Sequence, residues 1–362
     1  MSESVRQGRD AAVTEQAVID ALRRVQDPEL HRDVISLNMI RDVRIQDGQV
    51  SLRLVLTTPA CPVRRDFQQQ VEEAVLAVPG VRSVTVEMGA EVRATRPEGN
   101  KRPVEGVRNI IAVASNKGGV GKSTVAANLA VALAQSGASV GLMDADITGP
   151  NIPTMFGFEP GFMAQENRGL SAVERYGVRV TSLGFLLARG TPVVWRGPMV
   201  GSAVRQLLHD IQWGDLDYLV IDLPPGTGDA SMSMAQEAPI SGVVIVSTPQ
   251  EVALEDAEKA VTMFEKLGVP VFGMVENMSY FLCPHCGERT DIFGHGGVRD
   301  AAEEIGIDFL GEIPLDPSIR QGGDVGAPIV HTDPESPQAR AFRSVAERVA
   351  AKISVLQRVG GV

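Results

Sequence analysis

One stretch limits the fold of this chain more than any other. Residues 115–124, SNKGGVGKST, lie between an apolar strand-like run, Ile110 to Ala114, and a helix-like segment, Thr124 to Gln135, closed by Gly137. A glycine-rich turn between a strand and a helix lets backbone N–H groups curl around a phosphate without Cβ clashes. The helix start adds further N–H groups and the positive end of its dipole. Lys122 is placed to neutralise β- and γ-phosphates, and the Ser123 hydroxyl to ligate Mg²⁺. The candidate nucleotide-binding residues are therefore Lys117, Gly118, Gly119, Val120, Gly121, Lys122, Ser123 and Thr124. The general pattern G-x-x-x-x-G-K-[ST] asks for glycine at position 116, where this chain has Asn116; asparagine is the non-glycine residue that best tolerates left-handed backbone. An ordinary glycine-rich turn has no need of cations, yet two of the chain's six lysines fall in this loop.

A phosphate loop of this kind requires an α/β domain around it. Val140 to Met143, Tyr218 to Leu223, Val243 to Val246 and Val271 to Val275 are further short apolar runs. Continuous Val/Ile/Leu suits strands buried on both faces, hence a mostly parallel sheet with helices on each side. Gln338 to Leu356 reads as a closing helix. Ahead of this domain lies a small α/β unit. Thr14 to Val25 is helix-like, Ile40 to Ile45 and Val50 to Leu56 alternate as strands around the hairpin signal Asp47-Gly48, Val63 to Val78 is a second helix, and Val81 to Met88 a last strand. Residues 89–106 are rich in Pro, Gly and charge without apolar period and read as a linker. The domain reading is thus 1–88, linker 89–106, and a phosphate-loop domain 107–362.

Acidic residues follow two of the predicted strands. Strand C-termini in an open α/β sheet converge on the ligand crevice. Asp222, in IDLPPGTGD, is placed to hold Mg²⁺ through a water. In MDADITGP, Asp146 is assigned to orient an attacking water and Asp144 to support it near the metal. The plainer alternative is that such acids cap helices or turns. The glycine-rich runs after both motifs suit segments that rearrange when a γ-phosphate is lost.

Cys283-Pro284-His285-Cys286 is a C-x-x-C pair. Three readings fit it: a redox dithiol, a zinc knuckle completed by His285 and His295, or a site in which two subunits each donate Cys283 and Cys286. Four thiolates suit Zn²⁺ or a 4Fe–4S cluster equally. The third cysteine, Cys61, precedes the predicted helix 63–78, where a thiol has a lowered pKa in general; it is either a reactive thiol or a small buried hydrophobe. Three cysteines cannot build a disulfide scaffold, which favours a reducing, cytoplasmic setting. The net charge of −11 argues against a nucleic-acid coat. No apolar run reaches the roughly 18 residues of a membrane span, and the first residues have no apolar signal core.

These motifs carry a resemblance. KGGVGKS is similar to the deviant phosphate loop of the MinD/ParA/nitrogenase-iron-protein class, in which the early lysine reaches the partner's nucleotide. That resemblance implies an ATP-dependent homodimer with Lys117 and Lys122 in catalysis. KGGVGKS, DADITGPNIP, DLPPGTGD, ENMSYFLCPHCG and the IPLDP loop, in this order over 107–331, closely resemble the Mrp/ApbC family of P-loop iron–sulfur cluster carriers. The implied function is ATP-binding and slow ATP hydrolysis with Mg²⁺, coupled to a labile 4Fe–4S cluster. That cluster is bridged across a homodimer by Cys283 and Cys286, received from assembly scaffolds and passed to apo-proteins. Asn277 and Pro314 match positions that contact adenine in similar ATPases. Asp27-Pro28-Glu29 and TTPACP around Cys61 resemble a small domain found among iron–sulfur assembly factors. Two rivals remain: a positioning ATPase acting on membrane or DNA, with the cysteines holding structural zinc, and an electron donor like the nitrogenase iron protein.

Overall fold

The structure is a computed structural model and describes residues 13–28, 30–95, 101–146, 149–159, 171–185, 197–226 and 228–359. Glu29, Ile147, Thr148 and Thr227, each part of a motif above, lie outside the described residues, as do the first twelve residues and five of the linker. The chain divides into two compact units, residues 1–92 with 354–362, and residues 93–353.

In the first unit, the Thr14 hydroxyl caps α1 (Glu15–Leu22), accepting from Ala17 N at 3.2 Å. β1 (Gln26–Asp27) and β2 (Arg32–Asp33) form a short antiparallel pair. β3 (Ile40–Gln46) and β4 (Gln49–Leu56) form a hairpin whose turn residues, Asp47 and Gly48, both have positive φ, as a two-residue turn matching the strand twist requires. α2 (Arg64–Leu76) places Phe67, Val71 and Val75 on one face. These meet the alternate residues Val50, Leu52, Leu54 and Leu56 of β4 to make the core. β5 (Ser83–Ala90) then adds to β4 in parallel.

The second unit is an eight-stranded sheet. Its strands are β6 (Val107–Ala114), β7 (Val140–Asp144), β8 (Val173–Arg175), β9 (Val178–Ser182), β10 (Leu216–Asp222), β11 (Gly242–Ser247), β12 (Val271–Asn277) and, after a separate hairpin of β13 (Phe281–Leu282) and β14 (Arg289–Thr290), β15 (Phe309–Ile313). The order is β15-β12-β11-β6-β10-β7-β9-β8, parallel throughout except for β8. The helices are α3 (Lys122–Gln135), α4 (Ile152–Met155), α5 (Gly197–His209), α6 (Asp229–Glu237), α7 (Glu251–Lys266), α8 (Gly297–Ile305), α9 (Pro317–Val325), α10 (Ile329–Thr332) and α11 (Pro337–Val359). Ile110, Ala112, Leu219 and Ile221 pack on one sheet face with Leu207 of α5, Met234 of α6 and Phe264 of α7. α3 packs against β6, β7 and β10 and is buried from Val125 to Leu133, as a helix apolar on all sides must be. None of the described helices is long and apolar enough to cross a membrane.

The structure departs from the sequence reading in three places. The expected linker is shorter than its composition implies: β5 runs to Ala90, Val92 and Val104 are buried, and Asn109 Nδ2 of β6 donates to Arg93 O at 2.9 Å. β8 and β9 were not foreseen, because VERYGVRVTS alternates charge with β-branched residues instead of forming an apolar run. β15, FLGEI, is not expected from the sequence, because Gly311 interrupts its short apolar run.

Candidate functional site

β6 lies where connections diverge: β10 and β7 are on one side, β11 and β12 on the other. That is the switch point at which open α/β sheets bind ligands. The loop leaving β6 carries Gly119 and Gly121 in left-handed backbone, at φ 81° and 85°. A Cβ at Gly118 or Gly119 would meet nothing within 4 Å, so the inner wall of the loop faces open space sized by absent side chains. A Cβ at Gly121 would fall 2.1 Å from Asn277 Nδ2. Val120 is buried; Ser123 and Thr124 begin α3 half-buried. Lys117 is a half-buried residue with no ion-pair partner among the described residues, which leaves its ammonium available to phosphate.

Lys122 Nζ donates to Asp222 Oδ1 at 2.5 Å, with both side chains buried. Nζ also lies 3.4 Å from Ser123 Oγ. The second carboxylate oxygen, Asp222 Oδ2, is buried without a hydrogen-bond partner. Burial raises the pKa of Asp222, while Lys122 and the Ser123 hydroxyl pull the other way. An unpartnered buried oxygen beside a serine hydroxyl is a hard-oxygen donor set, and it fits a Mg²⁺ ion.

Asp144 is paired in register with Asp222 across β7 and β10. Its Oδ1 accepts from Asp146 N at 3.2 Å, and its Oδ2 accepts from Ile152 N at 3.2 Å and from Ser182 Oγ at 3.1 Å. Asp144 thus fastens the loop between β7 and α4 from a place beside Asp222. Burial first, and Asp222 second, hold its carboxyl well above the usual carboxylate range. Asp146 is buried at the same loop, its Oδ1 accepting from Gly149 N at 3.1 Å. The DLPPG turn is tied to the phosphate loop by Gly226 N, which donates to Ser115 O at 2.8 Å. Ser182 was missed in the sequence because its strand was missed.

Asn277 and Ile313 pair in register at the ends of β12 and β15, so Asn277 and Pro314 come to one edge of the crevice. The Asn277 amide has a further partner that the sequence did not reveal: Nδ2 donates to Val120 O at 2.8 Å, holding the phosphate loop itself.

The cysteines sit on the β13–β14 hairpin. Cys283 N donates to Glu288 O at 2.9 Å and Gly287 N to Cys283 O at 2.8 Å, a tight knuckle with Gly287 at φ 72°. Backbone N–H groups of Cys286 and His285 point at the Cys283 sulfur and lower its pKa, favouring thiolate. Cys283 is half-buried and Cys286 exposed. Among the described residues, no third Cys, His or carboxylate joins this pair in a metal-sized cluster. The expected addition of His295 is corrected: its Nδ1 accepts from Arg289 Nη2 at 2.7 Å and lies 2.9 Å from Ser279 Oγ. Glu276, His295 and Glu312 do bring three ligating atoms within 4.8 Å of one another. Those atoms are already served by protein donors: Glu276 accepts from Ser279 Oγ, Gly296 N and Val298 N at 2.5, 3.0 and 2.9 Å. This network is the footing of the hairpin, since Arg289 of β14 also covers the Tyr280 ring at 4.3 Å. Cys61 lies in the first unit, just before α2, half-buried against that unit's core.

A glycine-lined strand-to-helix loop with its lysine, serine and strand-end aspartate defines a P-loop nucleotide-binding domain, here carrying a thiol pair. The comparisons give the family. A model described as NUBPL iron-transfer P-loop NTPase matches residues 106–350, and one described as iron-sulfur cluster assembly protein matches residues 15–88. The chain belongs to the first of these families. An iron-sulfur cluster carrier protein of Synechocystis is 49% identical over 348 residues, covering 95% of this chain and 99% of its own. A nucleotide-binding protein of Archaeoglobus fulgidus, solved in complex with ADP, is 44% identical with a TM-score of 0.56, covering 66% of this chain and 93% of its own. The Pyrococcus furiosus cell division ATPase MinD is 26% identical with a TM-score of 0.50, covering 67% of this chain and 98% of its own.

Proposed function

We propose that this protein is an ATP-dependent iron–sulfur cluster carrier. Two copies hold one labile 4Fe–4S cluster between them through Cys283 and Cys286, take it from assembly scaffolds and release it to apo-proteins. The observation that carries this is the thiol pair at the tip of a hairpin with no further ligand from its own chain among the described residues. Two thiolates leave a tetrahedral site half-filled, and a second copy completes four-sulfur ligation. Among the described residues a structural zinc held within one chain lacks half its ligands, so the positioning-ATPase reading is the weaker one.

In the nucleotide site, the N–H groups of Gly118 to Thr124 enclose the phosphates and Lys122 neutralises their charge. Ser123 and Asp222 hold Mg²⁺, which when bound neutralises charge on the β- and γ-phosphate oxygens. Asp146 orients the attacking water, and Lys117 meets the charge developing at the partner's γ-phosphate only when two copies close. Asn277 and Pro314 flank the adenine. Transfer of the cluster is a thiolate exchange, sulfur for sulfur, and needs no redox change.

Anaerobic reconstitution with iron and sulfide tests this reading. The expected result is a visible-absorbing cluster in the parent chain and its loss in Cys283→Ala. A Cys283→Ala variant that kept iron and sulfide would overturn the shared-thiolate site. Lys122→Ala should lose nucleotide binding with the circular dichroism unchanged.

A further inference from the structure

The phosphate loop and the cysteine hairpin are joined by one short stretch of chain whose two ends are both clamped. At the first end, Asn277 is buried and its amide donates to Val120 O at 2.8 Å. The loop passes so close that a Cβ at Gly121 would lie 2.1 Å from that amide and 3.7 Å from Met278 Cε. At the second end, Ser279 N donates to Ile313 O at 3.0 Å and Leu315 N to Tyr280 O at 2.7 Å. The Ser279 hydroxyl donates to the fully buried Glu276 at 2.5 Å, and Glu276 is itself held by Gly296 N and Val298 N. β13 begins at Phe281, and Cys283 follows it by two residues.

Between the clamps stands Met278, at φ 56°. A side chain other than glycine, asparagine or aspartate is disfavoured in left-handed backbone, and it persists there only when its surroundings impose it. The joint is thus held away from its preferred geometry by the contacts at either end, and a displacement of one end has a stored bias to act on. Packed, clamped elements respond to such displacements by switching between arrangements more than by deforming smoothly.

We propose that Asn277, Met278 and Ser279 couple the phosphate loop to the thiols. Asn277 is a positioning residue that reads the loop through the Val120 carbonyl. The Met278 joint passes the displacement to the hairpin, so nucleotide alters the accessibility of Cys283 and Cys286. For its biological consequence, control of cluster holding, this rests on the carrier reading above; the coupling itself concerns only the loop and the thiols.

The test uses the full chain, reduced and free of cluster, with iodoacetamide as probe and mass spectrometry to follow each cysteine, Cys61 serving as internal reference. Saturating Mg-ATP, or a non-hydrolysable analogue, should change the alkylation rates of Cys283 and Cys286 by at least about fivefold, the lower end of ordinary coupling between sites. In Asn277→Ala and in Met278→Gly that change should shrink below about twofold, the lower end of coupling no longer being reached. Glycine adopts the left-handed backbone freely, so Met278→Gly keeps the fold and, by fluorescent-nucleotide titration, its affinity. Rates in the parent chain that ignore nucleotide, or a response that survives in both variants, would overturn the coupling. A nucleotide response in a parent chain that takes up no iron or sulfide would sustain the coupling and sink the carrier reading instead.

Discussion

Three donors converge on the carboxylate of Asp144, yet burial and the neighbouring Asp222 raise its pKa well above the ordinary aspartate value. The sign of the consequence is definite. A carboxyl whose folded pKa exceeds its unfolded one binds its proton more tightly in the folded chain, so its stabilisation is full below about pH 4 and is lost as pH rises through the folded value. Asp144→Asn removes that titration. The melting temperature of the variant, although lower overall from mismatched donors, should fall less steeply from pH 4 upward than that of the parent; an unchanged slope would refute the assignment. At this scale the sequence revealed residue types better than partners. Lys122 and Ser123 were legible from a local spacing, and Asp222 from its place at a strand C-terminus. The partners of Asp144 and Asn277 were not, because Ser182 and Val120 lie far along the chain and meet them only through sheet register.

Elements separate the loop glycines into two kinds. Gly121 opens α3 in left-handed backbone, against a buried amide, whereas Gly118 borders open space at ordinary φ. Gly121→Ala should therefore lower the unfolding free energy by about 2 kcal/mol, within the range for strained backbone positions. Gly118→Ala should leave stability within about 0.5 kcal/mol, as surface substitutions do, while weakening nucleotide binding because its methyl enters the space of the phosphates. Urea unfolding and nucleotide titration of both variants check this. Central strands were legible as unbroken Val and Ile runs, since burial on both faces leaves no polar alternation. The edge strands β8 and β15, and β9 beside β8, were not, because charge or glycine interrupts their apolar residues.

For the whole molecule, the prediction is one of stoichiometry. The reconstituted protein should carry half a cluster per chain, about two irons and two sulfides each, and light scattering should find the loaded species at twice the mass of one chain. A full cluster on a single chain would refute sharing. The sequence reads as two parts from where apolar period stops and resumes. The extent of the connection was not legible, because Val92 and Val104 are lone apolar residues among charge, and only the folded state buries them.

The buried Lys122–Asp222 pair also bears on selectivity among anions. Parting such a pair and leaving one charge alone costs about 3–5 kcal/mol. A bare sulfate or chloride that drew the lysine away would strand the aspartate. A triphosphate arriving with a divalent ion hands back a positive charge for the one it takes. Discrimination against simple salts is thereby built in before any atom of the nucleoside is inspected.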